Sequence, residues 1–202
     1  MKPMKRVFCI LAVAALVVGA PQKAVAQERG ELSVRGGVGY FSLPDFVAAL
    51  ATGFGTMVGD EGTVHQSFVP MLNPNIGLYY GVNDWLSLGG SATLGYSSVK
   101  RVYESSGTVE KSVRVVYPSL FVGAQTKYFT SGKFSLYGTW GVGAMALFSE
   151  QMSDSSNSSD FALSFMADVY PLSLSYGGDL GGFLEAGWGS RGFVNVGIYR
   201  NF

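Results

Sequence analysis

The sequence predicts an all-β chain: a closed antiparallel up-and-down transmembrane β-barrel of about eight strands. Three observations predict it. Apolar and small residues alternate with period two from Glu31 onward; the connections are alternately short and long; and the non-apolar face of each segment is Gly, Ser and Thr rather than charge. Among 202 residues, 28 are Gly and only 14% are charged, which is far below what a water-facing exterior requires.

The chain opens with a leader. Lys2, Lys5 and Arg6 precede a short apolar run from Val7 to Ala20, followed by Ala24-Val25-Ala26. This is the pattern of a secretory signal peptide cut before Gln27, giving residues 1–26 as leader and 27–202 as barrel domain. The apolar run is shorter than the roughly 20 residues a membrane-spanning helix needs. The one cysteine, Cys9, lies inside it, so the mature chain is expected to carry no disulfide and no thiolate site. Cleavage also removes four basic residues and no acid, leaving ten basic against fourteen acidic residues, a net −4. Neither a basic stripe nor interleaved aromatics suggests a nucleic-acid partner, and no cofactor or metal motif is evident.

Strands are expected over 31–41, 67–81, 85–98, 112–129, 133–148, 162–176, 182–189 and 192–202. In the first, Leu32, Val34, Val38 and Tyr40 share a face against Ser33, Arg35, Gly37 and Gly39. In the third, Leu86, Leu88, Ala92 and Leu94 oppose Ser87, Gly89, Ser91 and Thr93. In the fifth, Phe134, Leu136, Trp140 and Val142 oppose Ser135, Tyr137, Thr139 and Gly141. Short turns at Val82–Asp84, Thr130–Gly132 and Gly177–Gly181 hold the Asn, Asp and Gly that hairpins favour. Longer loops are expected at Ser42–Gln66, Val99–Lys111 and Ser149–Phe161, with a very short link at Ser190-Arg191. The run Ser153–Asp160 reads as a solvated loop. In the first loop, Ser42 followed by Asp45 marks a helix start, with Phe46, Leu50 and Phe54 on one stripe, packed over the barrel mouth.

Period two does not say which face is inside. The small polar face suits a narrow lumen, because an eight-stranded barrel is just wide enough for side chains to fill. The apolar face then meets hydrocarbon, where closure removes the unpaired edge that lipid would penalise. Tyr40, Tyr80, Tyr96, Tyr128, Phe134, Phe148, Tyr176 and Phe202 fall on the outward parity near strand ends, the heights of aromatic girdles.

The ending Gly192–Phe202 resembles the C-terminal recognition signal of bacterial outer-membrane β-barrels. Asn195, Gly197 and Phe202 occupy its polar, glycine and terminal aromatic positions, while Arg200 stands where a hydrophobic residue is expected. With the leader and the strand pattern, the mature chain is similar to small OmpA/OmpX-type barrels. That resemblance implies a Gram-negative outer membrane, export through a cleaved signal peptide, insertion by the barrel-assembly machinery reading the last strand, and contact with outer-membrane lipid and lipopolysaccharide. A structural or surface-interaction role through the extracellular loops, with an unidentified extracellular ligand, follows as the expected function. A narrow solute channel is the alternative.

Three sets of residues could carry chemistry. Gly141-Val142-Gly143-Ala144-Met145-Ala146 has the letters of a dinucleotide fingerprint but sits inside a strand instead of a strand-to-helix turn. His65 and Ser67 point the same way on an extended segment, an arrangement similar to that of outer-membrane lipid A deacylases, with Asp60 or Glu61 as the carboxylate a triad needs; no enzyme is expected. Arg35, Lys127 and Glu185 have inward parity, and a cation facing the lipid midplane would cost roughly 2–4 kcal/mol. Glu185 is expected to meet Arg35 or Lys127 across the lumen. For the deacylase alternative, His65→Ala should leave the acyl chains of lipid A unchanged by mass spectrometry; a change in acylation would instead make this an enzyme.

Overall fold

The computed structural model describes residues 29–47, 64–70, 72–103, 109–153 and 156–202. The strands are β1 (Leu32–Tyr40), β2 (Val64–Pro70), β3 (Leu72–Gly81), β4 (Leu86–Tyr103), β5 (Val109–Ser131), β6 (Phe134–Ser153), β7 (Ser156–Gly177), β8 (Leu180–Trp188) and β9 (Val194–Asn201). Every pairing is antiparallel. β2 and β3 both pair with β4, one above the other, and so form a single broken strand. The result is an eight-stranded closed up-and-down barrel, sealed where β1 pairs with β9. At the seam Phe202 and Leu32 exchange both backbone hydrogen bonds (2.9 and 3.1 Å), so the ladder runs to the last residue.

Alternation places the faces as the composition requires. Along β9, Val194, Val196 and Ile198 are exposed, while Asn195, Tyr199 and Asn201 are buried. The apolar side chains clad the outside, and the lumen holds Ser, Asn, Thr and Tyr with a few charges. Bulges interrupt the pattern, and two of them change which residues face outward. Between Lys127 and Phe129 the β5–β6 register shifts, so Tyr128 and Phe129 both face outward. Around Pro171 the β7–β8 register shifts as well. Phe161, Leu163 and Phe165 are outward above it and Leu172 and Tyr176 below it, so the outward parity changes from odd to even. Proline lacks the amide that an unbroken ladder needs there.

The expected loops at 99–111 and 149–161 are largely strand. β4 and β5 stay paired up to Val102 and Val109, and β6 and β7 up to Ser153 and Ser156. The Ser-rich run at 153–160, expected as a solvated loop, likewise lies mostly within β6 and β7. The reason is physical: a strand that projects into water needs no apolar face, so its sequence carries no period-two signal. β5 and β7 have 23 and 22 residues, about twice the 9–11 that cross a bilayer. β8, β9 and β1 have 9, 8 and 9. The barrel is therefore tall on one side and level with the membrane on the other.

On the low side the chain turns sharply at Phe41, whose φ is +55°. A non-glycine residue there costs on the order of 1–3 kcal/mol and persists only when its surroundings hold it. They do: a short helix over residues 43–47 begins at once, capped by Ser42, whose amide and hydroxyl each donate to Asp45 Oδ2 at 2.8 Å. Tyr117 in the barrel wall donates to Asp45 Oδ1 at 2.9 Å. The helix start expected at Ser42 is present, and its polar side is tied into the mouth; Leu50 and Phe54 lie outside the described residues. Beside it the link 189–193 presses against β1. A Cβ at Gly39 would collide with the Arg191 carbonyl, whereas one at Gly36 would meet nothing within 4 Å. Gly39→Ala should therefore lower stability by about 1–3 kcal/mol while Gly36→Ala leaves it unchanged or slightly raised, read as the heat-modifiable folded fraction across a urea series in detergent.

Candidate functional site in the barrel lumen

The lumen is organised around Glu185 on β8, whose exposure is 0%. Its inward parity follows from the alternation Phe183, Glu185 against Leu184, Ala186. A carboxylate enclosed by a strand wall and hydrocarbon must be hydrogen-bonded and paired. Arg191 Nη1 donates to Oε2 at 2.7 Å, and Asn195 Nδ2 donates to the same oxygen at 2.8 Å. Thr139 and Tyr137 hydroxyls donate to Oε1 at 3.2 and 3.3 Å. Arg35 approaches Oε1 at 3.8 Å and donates to the Tyr137 hydroxyl at 2.7 Å. Its guanidinium lies 4.7 Å from the Tyr137 ring centroid, and within 5.7 Å of Tyr79, Phe183 and Tyr199, a cation surrounded by π faces.

Arg191 is the second bridge. It enters from the link between β8 and β9 and is only 4% exposed. Its Nε donates to Asp168 Oδ2 at 3.2 Å, and its guanidinium sits 4.1 Å from the Tyr170 ring centroid. Asp168 also accepts from the Ser190 amide at 2.8 Å. One arginine thus joins two carboxylates from different strands and pins the link into the mouth.

Of the residues singled out in the sequence, Arg35 and Glu185 come together. Lys127 lines, with Arg35, Tyr137 and Tyr199, a cavity of about 20 Å³ toward the turn end of the barrel, room for about one water. Asn195 accepts from Asn75 Nδ2 at 2.9 Å as well as donating to Glu185. Gly197 lies where a Cβ would run into the Gly36 carbonyl. Phe202 is exposed, and the Arg200 guanidinium lies 4.9 Å from its ring centroid; the aliphatic stem and covered ring are how a cation can occupy that outward position. His65 and Ser67 lie on β2 opposite Val102 and Lys100, their side chains outside the described residues, as are Asp60 and Glu61. Gly141 and Gly143 are in the interior of β6, on the lumen face, as expected. Among the described residues no cluster of His, Cys, Asp and Glu could hold a metal.

Sequence reasoning missed Arg191 and Asp168. Arg191 was assigned to a link between strands, where charge is ordinarily solvated. The available signal was Asp168, an acid on the lumen parity that needs a cation. Breaking a buried pair by removing one partner typically costs about 3–5 kcal/mol. Arg191→Met should therefore destabilise the folded barrel by that amount, Arg35→Met by less, and the double variant Arg191→Met/Glu185→Gln should recover part of the loss in urea titrations.

The sequence profile of the family described as "Outer membrane protein beta-barrel domain" matches residues 10–171. The solved structure of Ail, the attachment invasion locus protein of Yersinia pestis, is similar over 86% of this chain and 99% of its own, with 15% identity and a TM-score of 0.43. No curated protein matches. With the profile spanning most of the chain and the strands closed into a barrel clad in apolar side chains, this protein belongs to the outer-membrane β-barrel family and resides in the outer membrane of a Gram-negative bacterium.

Proposed function

We propose that the protein is a non-catalytic envelope protein whose working surface is the open sheet raised above the low rim by β2, β4, β5, β6 and β7. The observation that carries this reading is the height of β7. It runs from Ser156 to Gly177 but meets β8 only from Val169 downward. Residues 156–168 therefore present, among the described residues, a strand edge with no β8 partner. Such an edge is a template for an extended segment of another polypeptide. The partner class it fits is a protein or peptide at the cell surface, in keeping with a surface-interaction role.

The lumen supports the same reading over a solute channel. Glu185, Arg191, Asp168 and Arg35 are buried and bridged to one another, and small barrels of this kind are filled by side chains. In the same reading the leader is removed before Gln27, lipid and lipopolysaccharide surround the wall, and Asn195, Gly197 and Phe202 guide insertion by the assembly machinery. Purified protein in planar bilayers should show no discrete openings, and protease added to intact cells should cut above the rim and leave a membrane-protected barrel. Stepwise conductance would overturn the non-channel reading; full protection of intact cells would overturn the exposed sheet.

A further inference from the structure

The low rim carries a patch that neither the lumen nor the tall sheet uses. Phe193 stacks on Phe41 at 5.6 Å between ring centroids and meets Phe46 edge-on at 5.9 Å and Trp188 edge-on at 6.1 Å. Phe41 and Phe46 are 6.4 Å apart, again edge-on. These rings come from three places: the end of β8, the link just before β9, and the turn and helix after β1. The helix is two-sided. Ser42 and Asp45 are fully buried toward the mouth, while Phe46 and Val47 are 39% and 57% exposed. Leu43 donates its amide to the Gly189 carbonyl at 3.0 Å, which fixes the helix onto the link. These contacts hold Phe46 and Val47 outward at the rim.

We infer that residues 41–47, with Trp188 and Phe193, form an interfacial anchor that inserts at the level of the acyl chains and their ester linkages in the outer leaflet. Two features select lipid over a protein partner. First, the patch is continuous with the lipid-facing wall: Val194, Tyr40 and Leu72, paired across the tops of β9, β1 and β3, are all exposed apolar or aromatic residues, and Trp188 is 58% exposed on the outward parity of β8. Aromatic side chains with one apolar and one wet side are favoured at that depth. Second, the outward side of the patch carries no charged side chain, Asp45 being fully buried, and the sequence has none from Phe46 to Gly59. Its chemistry matches hydrocarbon and ester groups rather than phosphates. The interior hydrogen bonds of Asp45 set the depth, because they hold the helix at the rim with Phe46 and Val47 turned outward.

The experiment is depth-resolved fluorescence on the mature full-length chain in phosphatidylcholine vesicles. In a background of Trp85→Phe, Trp140→Phe and Trp188→Phe, a single tryptophan is placed by Phe46→Trp, with Leu120→Trp as the mid-wall reference and heat modifiability as the check on folding. The expected result is strong quenching by lipids brominated near the ester, comparable with the reference quenched by lipids brominated mid-chain, and no quenching by aqueous iodide. Iodide quenching without bromolipid quenching would overturn the inference and leave the patch open to a soluble partner. Protection from both quenchers would overturn it too, since the ring would then be covered by protein. Val47→Trp gives the same reading if Phe46→Trp disturbs the ring cluster, because Val47 is more exposed and outside it.

Discussion

A carboxylate inside a tube only a few side chains wide, with hydrocarbon around the wall, must be paired where it sits. Glu185 imposes that requirement, and most of the lumen follows from it. Neutral donors from Asn195, Thr139 and Tyr137 occupy part of its acceptor capacity, and arginines from opposite sides supply the charge. Burying such groups costs several kcal/mol per ion unless geometry and extra hydrogen bonds compensate. The compensation here is spread over four strands and one link, so the network fixes their mutual register as well as neutralising charge.

Arg191 makes the network a structural device for the whole rim. Because its guanidinium bridges Glu185 and Asp168, the link that carries it cannot rise into solvent. Gly39 then has to lack a side chain where the Arg191 carbonyl presses on it, and Gly192 adopts a φ of +123° beside Tyr40. The first helix docks onto the same link through Leu43 and onto the wall through Asp45. One buried arginine and its two carboxylates therefore hold down the link against which the ends of β8, β9 and β1 are packed.

The opposite side is free of that constraint. β4 to β7 continue as hairpins well beyond the length that hydrocarbon demands, held by ladder hydrogen bonds and cross-strand neighbours. Bulges adjust the wall at both levels. Near Pro171 the outward parity shifts, so that β7 keeps Asp168 and Tyr170 in the lumen above and Ser173 and Ser175 in the lumen below. Near Tyr128 two aromatics face outward together at the turn end, where a girdle is expected.

The architecture was legible because hydrocarbon and a narrow lumen act on every strand locally: Val194, Val196 and Ile198 must alternate with Asn195, Gly197 and Tyr199 whatever the rest of the chain does. Inward Arg35 and Glu185 were legible for the same reason, as was the capping pair Ser42 and Asp45, whose interaction spans three residues. What stayed hidden depends on contacts between distant segments. The upper ends of β4–β7, residues 99–103, 109–111, 149–153 and 156–161, lack the period-two alternation that marks a strand in sequence. Arg191 looks like any solvated link residue until Asp168 and Glu185 surround it. The sequence by itself determined the barrel, its inside and its outside, since each residue meets its solvent independently. Only the tertiary structure decided which charges pair and how high each side stands, since pairing and register are properties of residues brought together from across the chain.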